Sequence, residues 1–139
     1  MFVLDTNVLS EASRPAPSYR VLDWLEAQPR TLLFATTISE AEMLLGVALL
    51  PAGKRRSALG EATHLLFTED FEGRVLKFDR GSANAYAEIC AARRRLGRPI
   101  STLDAQIAAI ARAHGAAVAT RNVADFTDCG IEVVDPWQG

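Results

Sequence analysis

Short apolar runs that are too brief for helices alternate along this chain with longer segments of helical spacing, and that alternation restricts the fold more than any other feature. The runs are Phe2-Val3-Leu4, Leu32-Leu33-Phe34-Ala35, Val75-Leu76-Lys77-Phe78, Ala117-Val118-Ala119 and Glu132-Val133-Val134. A strand exposed on one face alternates apolar with polar residues, whereas a strand buried on both faces reads as unbroken apolar sequence. Strands separated by helices are joined by crossovers and run parallel. The expected architecture is α/β: three layers, with a central, mostly parallel sheet of about four to five strands and helices on both faces.

The intervening segments read as helices. Val21, Leu22, Trp24 and Leu25 form an apolar stripe that stops near Pro29, and Met43, Leu44, Val47 and Leu50 form another before Pro51. A helix is expected from Lys54 to Phe67, an alanine-rich one from Ser82 to Leu96 with Gly97 as its stop, and one capped by Ser101 that ends at His114-Gly115. At 139 residues the chain is expected to be a single domain, 1–139, large enough to fold without disulfides. Hydrophobic residues at 49% and charged ones at 23% exclude a disordered or fibrous chain. Cys90 and Cys129 lie in no ligand-spaced motif and are expected to be free thiols. That usage, with neither a secretory leader pattern nor an apolar stretch of membrane-spanning length, leads to an expected cytoplasmic location.

The formal charge of -2 does not announce a polyanion partner, but the basic residues cluster. Lys54, Arg55 and Arg56 form one group, and Arg93, Arg94, Arg95 and Arg98 another. Guanidinium forks suit phosphate oxygens, so both groups are candidate phosphate contacts as well as candidate solvated helix faces.

The acidic residues carry more chemistry. In parallel α/β sheets, ligands bind beyond the carboxyl ends of the strands. Asp5 ends the first run, Glu42 lies in the early turns of the helix after the second, Asp104 follows Ser101, and Asp125 lies beyond the fourth run in Thr120-Arg121-Asn122-Val123-Ala124-Asp125-Phe126. Carboxylates near helix starts also serve as caps: both Ser39-x-x-Glu42 and Thr37-x-x-Glu40 read as capping boxes, and only if the second is used is Glu42 free. Carboxylates gathered in one cleft repel and raise one another's proton affinity unless a cation is present. Oxygen donors alone, with His64 and His114 elsewhere, select Mg2+, or Mn2+, over zinc or copper. Such an ion suits phosphodiester hydrolysis.

Four ordered motifs carry a family resemblance: Val3-Leu4-Asp5-Thr6-Asn7-Val8-Leu9-Ser10-Glu11, Thr37-Ile38-Ser39-Glu40-Ala41-Glu42, Leu103-Asp104-Ala105-Gln106-Ile107-Ala108-Ala109, and Ala119-Thr120-Arg121-Asn122 through Asp125-Phe126. The chain resembles PIN-domain ribonucleases, and more narrowly the VapC-type toxins of bacterial toxin-antitoxin pairs, including FitB-like members. The resemblance implies a metal-dependent endoribonuclease with Asp5, Glu42, Asp104 and Asp125 as the catalytic and metal-binding acidic set. It implies Thr6 or Asn7 and Thr120 or Asn122 as polar support, RNA as substrate, and a small antitoxin protein as partner. With the apolar helices between residues 18 and 67 it also implies a homodimer. In the mechanism expected from these residues, Asp5 and Asp104 anchor the ion, Glu42 helps place it or orients the attacking water, and Asp125 assists. The competing reading is a non-catalytic RNA- or partner-binding module on the same fold, which a metal-dependent cleavage assay distinguishes. A P-loop is excluded because Gly46 and Gly53-Lys54 are spaced too widely and Arg55 stands where Ser or Thr is required.

Overall fold

A computed structural model describes residues 1–138. Five strands, β1 (Phe2–Leu4), β2 (Leu33–Thr36), β3 (Val75–Leu76), β4 (Ala117–Ala119) and β5 (Val133–Val134), form one sheet in the order β3-β2-β1-β4-β5. Every neighbouring pair is parallel. The helices are α1 (Thr6–Ala12), α2 (Tyr19–Ala27), α3 (Thr37–Ala48), α4 (Lys54–Leu65), α5 (Arg80–Arg95) and α6 (Thr102–Ala113).

The central position of β1 explains why it is wholly apolar. One face of the sheet, through Val3 and Val118, meets Ala85 and Ile89 of α5 and Ile107, Ala108 and Ala111 of α6. The other, through Leu4, Ala35 and Ala119, meets Val8 and Leu9 of α1, Val21 of α2, and Phe67 and Phe71. This is the expected three-layer arrangement. Each fully buried Val, Leu or Ile side chain contributes roughly 1.5–3 kcal/mol relative to exposure. The alanines of α6 leave little side-chain bulk between that helix and the sheet, and residues Ile107 to Ala111 are all buried.

Several boundaries differ from the sequence expectation for identifiable reasons. Leu32 belongs to a 3-10 turn, Arg30–Leu32, and is 39% exposed; β2 begins one residue later. Only Val75 and Leu76 of the third run pair with β2, since Phe78 turns outward to meet Tyr86 edge-on. The α4 segment widens into a π-type turn, Leu66–Asp70, which carries Phe67 into the core. Helix α5 starts earlier than Ser82 because Asp79 caps it, accepting from the Ser82 N–H at 2.9 Å. Leu44 and Leu45 of α3 and Leu49 at its C-cap are exposed, so part of its apolar surface faces outward. Among the described residues, no helix is long and apolar enough to cross a membrane. Both cysteines are free.

Candidate active site

The carboxyl ends of β1, β2 and β4 lie side by side, with Leu4 opposite Ala119, and Asp5 and Thr120, the residues after β1 and β4, open the site. Asp5 has extended backbone and caps α1: one carboxylate oxygen accepts from the Thr6 N–H at 2.8 Å. Its other oxygen accepts from the Thr120 hydroxyl at 2.7 Å and from the Asn7 amide at 3.3 Å. Thr120 is fully buried, and its oxygen in turn accepts from the Asn122 N–H at 3.0 Å. The Asn7 carbonyl oxygen accepts from the Arg121 N–H at 3.3 Å. Residues beyond β1 and β4 therefore share one polar bracket around the Asp5 carboxylate.

On the other side of α1, the Thr6 hydroxyl donates to Glu42 Oε1 at 3.0 Å and lies 2.9 Å from Ser39 Oγ. The cap of α3 is Thr36, whose hydroxyl accepts from the Ser39 N–H at 3.1 Å. Neither candidate capping box is used. A helix starting at Thr37 carries Glu42 round to face Thr6, which answers the Glu40 or Glu42 ambiguity for the cleft. Ser39, buried beneath this contact, was read from the sequence only as a candidate cap ahead of Glu42.

Asp104 sits in the first turn of α6, where its N–H donates to the Ser101 hydroxyl at 3.3 Å as expected of a Ser101 cap. Asp125 is exposed in a 3-10 turn, Val123–Phe126, anchored by buried Phe126. The acidic groups feel one another. Burial pushes the Asp5 carboxyl above the ordinary aspartate range, against the lowering effect of its bonds from Thr120 and Thr6, and the charges of Asp104 and Glu42 push it further. Burial likewise raises Asp104; the Asp125 charge adds to this, while the Ser101 bond and the Arg93 cation oppose it. Asp5 thus lies within the influence of Asp104 and Glu42, and Asp104 within that of Asp125.

Among the described residues, no three carboxylate, imidazole or thiolate groups close around a single ion position. An open set of hard oxygen donors nevertheless suits Mg2+, which is commonly held by one or two carboxylates with water and substrate oxygens completing its shell. The donor chemistry and the mutual repulsion of the acids fit a divalent cation.

The basic candidates separate. Lys54, Arg55 and Arg56 are exposed at the start of α4, and Arg55 shares with Thr6 and Glu42 the wall of an open groove of about 830 Å³ whose floor includes Met43, Val47 and Leu59. Arg94 and Arg95 are exposed, and Arg98, also exposed, pairs with Asp128. Arg93 requires correction as a phosphate contact: it is only 5% exposed and its guanidinium is committed to backbone carbonyls. The signal was present, since Ser82, Ala85, Ile89 and Arg93 follow helical spacing along the buried face of α5. Arg121 was missed; exposed beside the Asp5 bracket, it lies over the Trp137 ring at 5.1 Å.

The PIN domain model matches residues 2–128. The chain belongs to the PIN-domain family. This PIN domain is 39% identical over 138 residues to VapC ribonuclease Y4jK of Sinorhizobium fredii, covering 99% of each chain. It is also 39% identical over 137 residues to Toxin FitB of Neisseria gonorrhoeae, again covering 99% of each. The crystal structure of FitAcB from Neisseria gonorrhoeae superposes on the PIN domain with a TM-score of 0.93 at 39% identity, covering 100% of both chains. The three-layer fold expected from the sequence is thus that of the family.

Proposed function

We propose that this PIN domain is a divalent-metal-dependent endoribonuclease, the toxin of a toxin-antitoxin pair. The observation that carries the reading is the bracketed Asp5 carboxylate at the strand ends, with Glu42 hydrogen-bonded through Thr6 on one side and Asp104 and Asp125 acting on it electrostatically in series on the other. Full-length similarity to a VapC ribonuclease and to Toxin FitB supports the same conclusion.

Asp5 and Asp104 would hold the cation, Mg2+ or Mn2+. When bound, that ion supplies charge to offset the negative charge that develops on the phosphate and lowers the pKa of nearby water. The chain's own groups do the rest. Thr120, Asn7 and the Thr6 N–H fix the direction of the Asp5 oxygens and favour their ionised form, against the effect of burial. Glu42, itself held by Thr6, orients the water that attacks phosphorus as the bond to the leaving oxygen breaks. Asp125, exposed at the rim, assists through water or a second ion. Arg55 on the Glu42 side, Arg121 beside the Asp5 bracket, and Arg94 and Arg95 where α5 ends are among the exposed cations offered to RNA phosphates. The partner is a small antitoxin, and the exposed leucines Leu44 and Leu45 of α3 and Leu49 at its C-cap support self-association into a homodimer.

Asp5→Asn preserves the shape of the bracket but removes a charged ligand. It should abolish Mg2+- or Mn2+-dependent cleavage of single-stranded RNA while the circular dichroism spectrum is retained. Near wild-type cleavage by this variant would remove the site. Light scattering at tens of micromolar should return twice the chain mass; a monomer would exclude the homodimer.

A further inference from the structure

Two of the four acidic residues lie on segments that have no strand or helix in common: Asp104 follows the turn 96–101, and Asp125 lies in the loop 120–130. Buried Arg93 joins these segments. Its Nε donates to the Arg98 carbonyl at 2.7 Å, and one terminal nitrogen donates to the carbonyls of Asp125 and Thr127 at 3.0 and 2.9 Å. The same nitrogen lies 3.8 Å from Cys129 Sγ. The backbone prepares the first of these contacts. Gly97, at φ 71, ends α5 so that the Arg98 N–H bonds the Arg93 carbonyl at 3.0 Å and the Gly97 N–H bonds the Arg94 carbonyl at 3.0 Å. This C-terminal motif needs a residue in the left-handed region, which glycine adopts without a Cβ penalty. Arg98 is thereby held twice by one residue, through backbone and side chain.

A buried cation satisfied by neutral carbonyls, with no carboxylate in direct contact among the described residues, is an expensive arrangement for simple stability. Its geometry instead fixes where two loops sit relative to each other. We propose that Arg93 is a positioning residue, which sets the separation of Asp104 and Asp125 by clamping the carbonyls of Arg98, Asp125 and Thr127, and so presents the acidic cleft to a divalent ion. The inference rests on the metal-dependent reading above.

A positioning role and a purely electrostatic one have opposite signs. Removing a buried positive charge close to the acids should tighten cation binding if charge alone matters; loosening the clamp should weaken it. The test is calorimetric titration of free protein with Mn2+, in wild type, Arg93→Gln, Arg93→Lys and Asp5→Asn, below the melting temperature of each variant. Arg93→Lys keeps the charge but lacks the planar fork, and serves if Arg93→Gln does not fold. Loss of an outer-shell contact typically costs 10–100-fold in metal affinity, so at least about tenfold weaker Mn2+ binding is expected in both Arg93 variants. RNA turnover should show a lower kcat at nearly unchanged KM, because Arg93 is buried away from substrate. Unchanged or tighter Mn2+ binding in a folded variant overturns the proposal, as does a raised KM with unchanged kcat. Wild type that binds Mn2+ no better than Asp5→Asn overturns the metal reading itself, and this inference with it.

Discussion

At one end of the cleft, Asp5 is 5% exposed and both its carboxylate oxygens are hydrogen-bonded, to Thr6, Thr120 and Asn7. At the other end the Asp125 side chain is exposed and its segment is held through its backbone, by buried Phe126 and by Arg93. The first is a side chain fixed before any ligand arrives; the second is a loop fixed in place with a side chain left to move. Fixed groups meet a ligand without an ordering cost, whereas mobile ones lose rotamer freedom on engagement. The Asp5 end should therefore determine whether an ion binds, and the Asp125 end how well substrate or water is managed around it.

A carboxylate series gives the largest expected effects. Asp104→Asn, beside Asp5, should lower RNA cleavage by more than about a hundredfold, beyond the range typical of outer-shell residues, and Asp125→Asn by only about tenfold. Glu42→Gln should be impaired and Glu40→Gln close to wild type, since only Glu42 meets Thr6. Equal losses at Asp104 and Asp125, measured as kcat/KM at saturating Mn2+, would erase the difference between the two ends.

The next effect concerns stability. A carboxyl with a folded pKa above its unfolded value destabilises the fold once it ionises: the penalty is absent below the unfolded value, grows as pH rises through the folded value, and is constant above it. Asp5 is raised in this way. In chelator, Asp5→Asn should melt a few degrees above wild type at neutral pH, and the gap should narrow as pH falls into the ordinary carboxylate range. Added Mn2+ should stabilise wild type selectively and narrow the gap from the other side, because a ligand stabilises the state that binds it. A gap independent of both pH and Mn2+ in thermal melts would mean that burial of the Asp5 charge carries no strain.

The smallest effect is on the RNA path. In the non-cleaving Asp5→Asn background, each lost phosphate contact should flatten the slope of log affinity against log salt by about 0.7. Arg55→Gln tests the Glu42 side of the cleft, and Arg94→Gln with Arg95→Gln tests the side where α5 ends. Flattening is expected from Arg55, which shares its groove with Glu42. An unchanged slope would take the RNA off that side.

The sheet was legible because buried parallel strands leave unbroken apolar runs, and the ends of those runs pointed to Asp5 and Asp125 without any tertiary knowledge. Asp104 was legible through its Ser101 cap. Glu42 was half legible: the residue type and region were evident, but its orientation depended on Thr36 capping α3, one residue before Thr37 and three before Ser39, the two caps considered. Arg93 was misread because a run of arginines looks solvated when read locally. Its burial comes from the loop 125–129 folding over the end of α5, a contact about thirty residues distant in sequence. The regular spacing of Ser82, Ala85, Ile89 and Arg93 marked that face as inward, which was the stronger signal.

The hydroxyl that grips Asp5 belongs to Thr120, 115 positions later in the chain. β1 also lacks one of its two neighbours until β4 has been made. A ribosome therefore finishes most of the molecule before the first carboxylate can be fully aligned, and a nascent chain truncated before residue 120 holds it only through its neighbours Thr6 and Asn7. For an enzyme whose substrate surrounds it during its own synthesis, this order of assembly delays activity until translation of that chain is nearly complete.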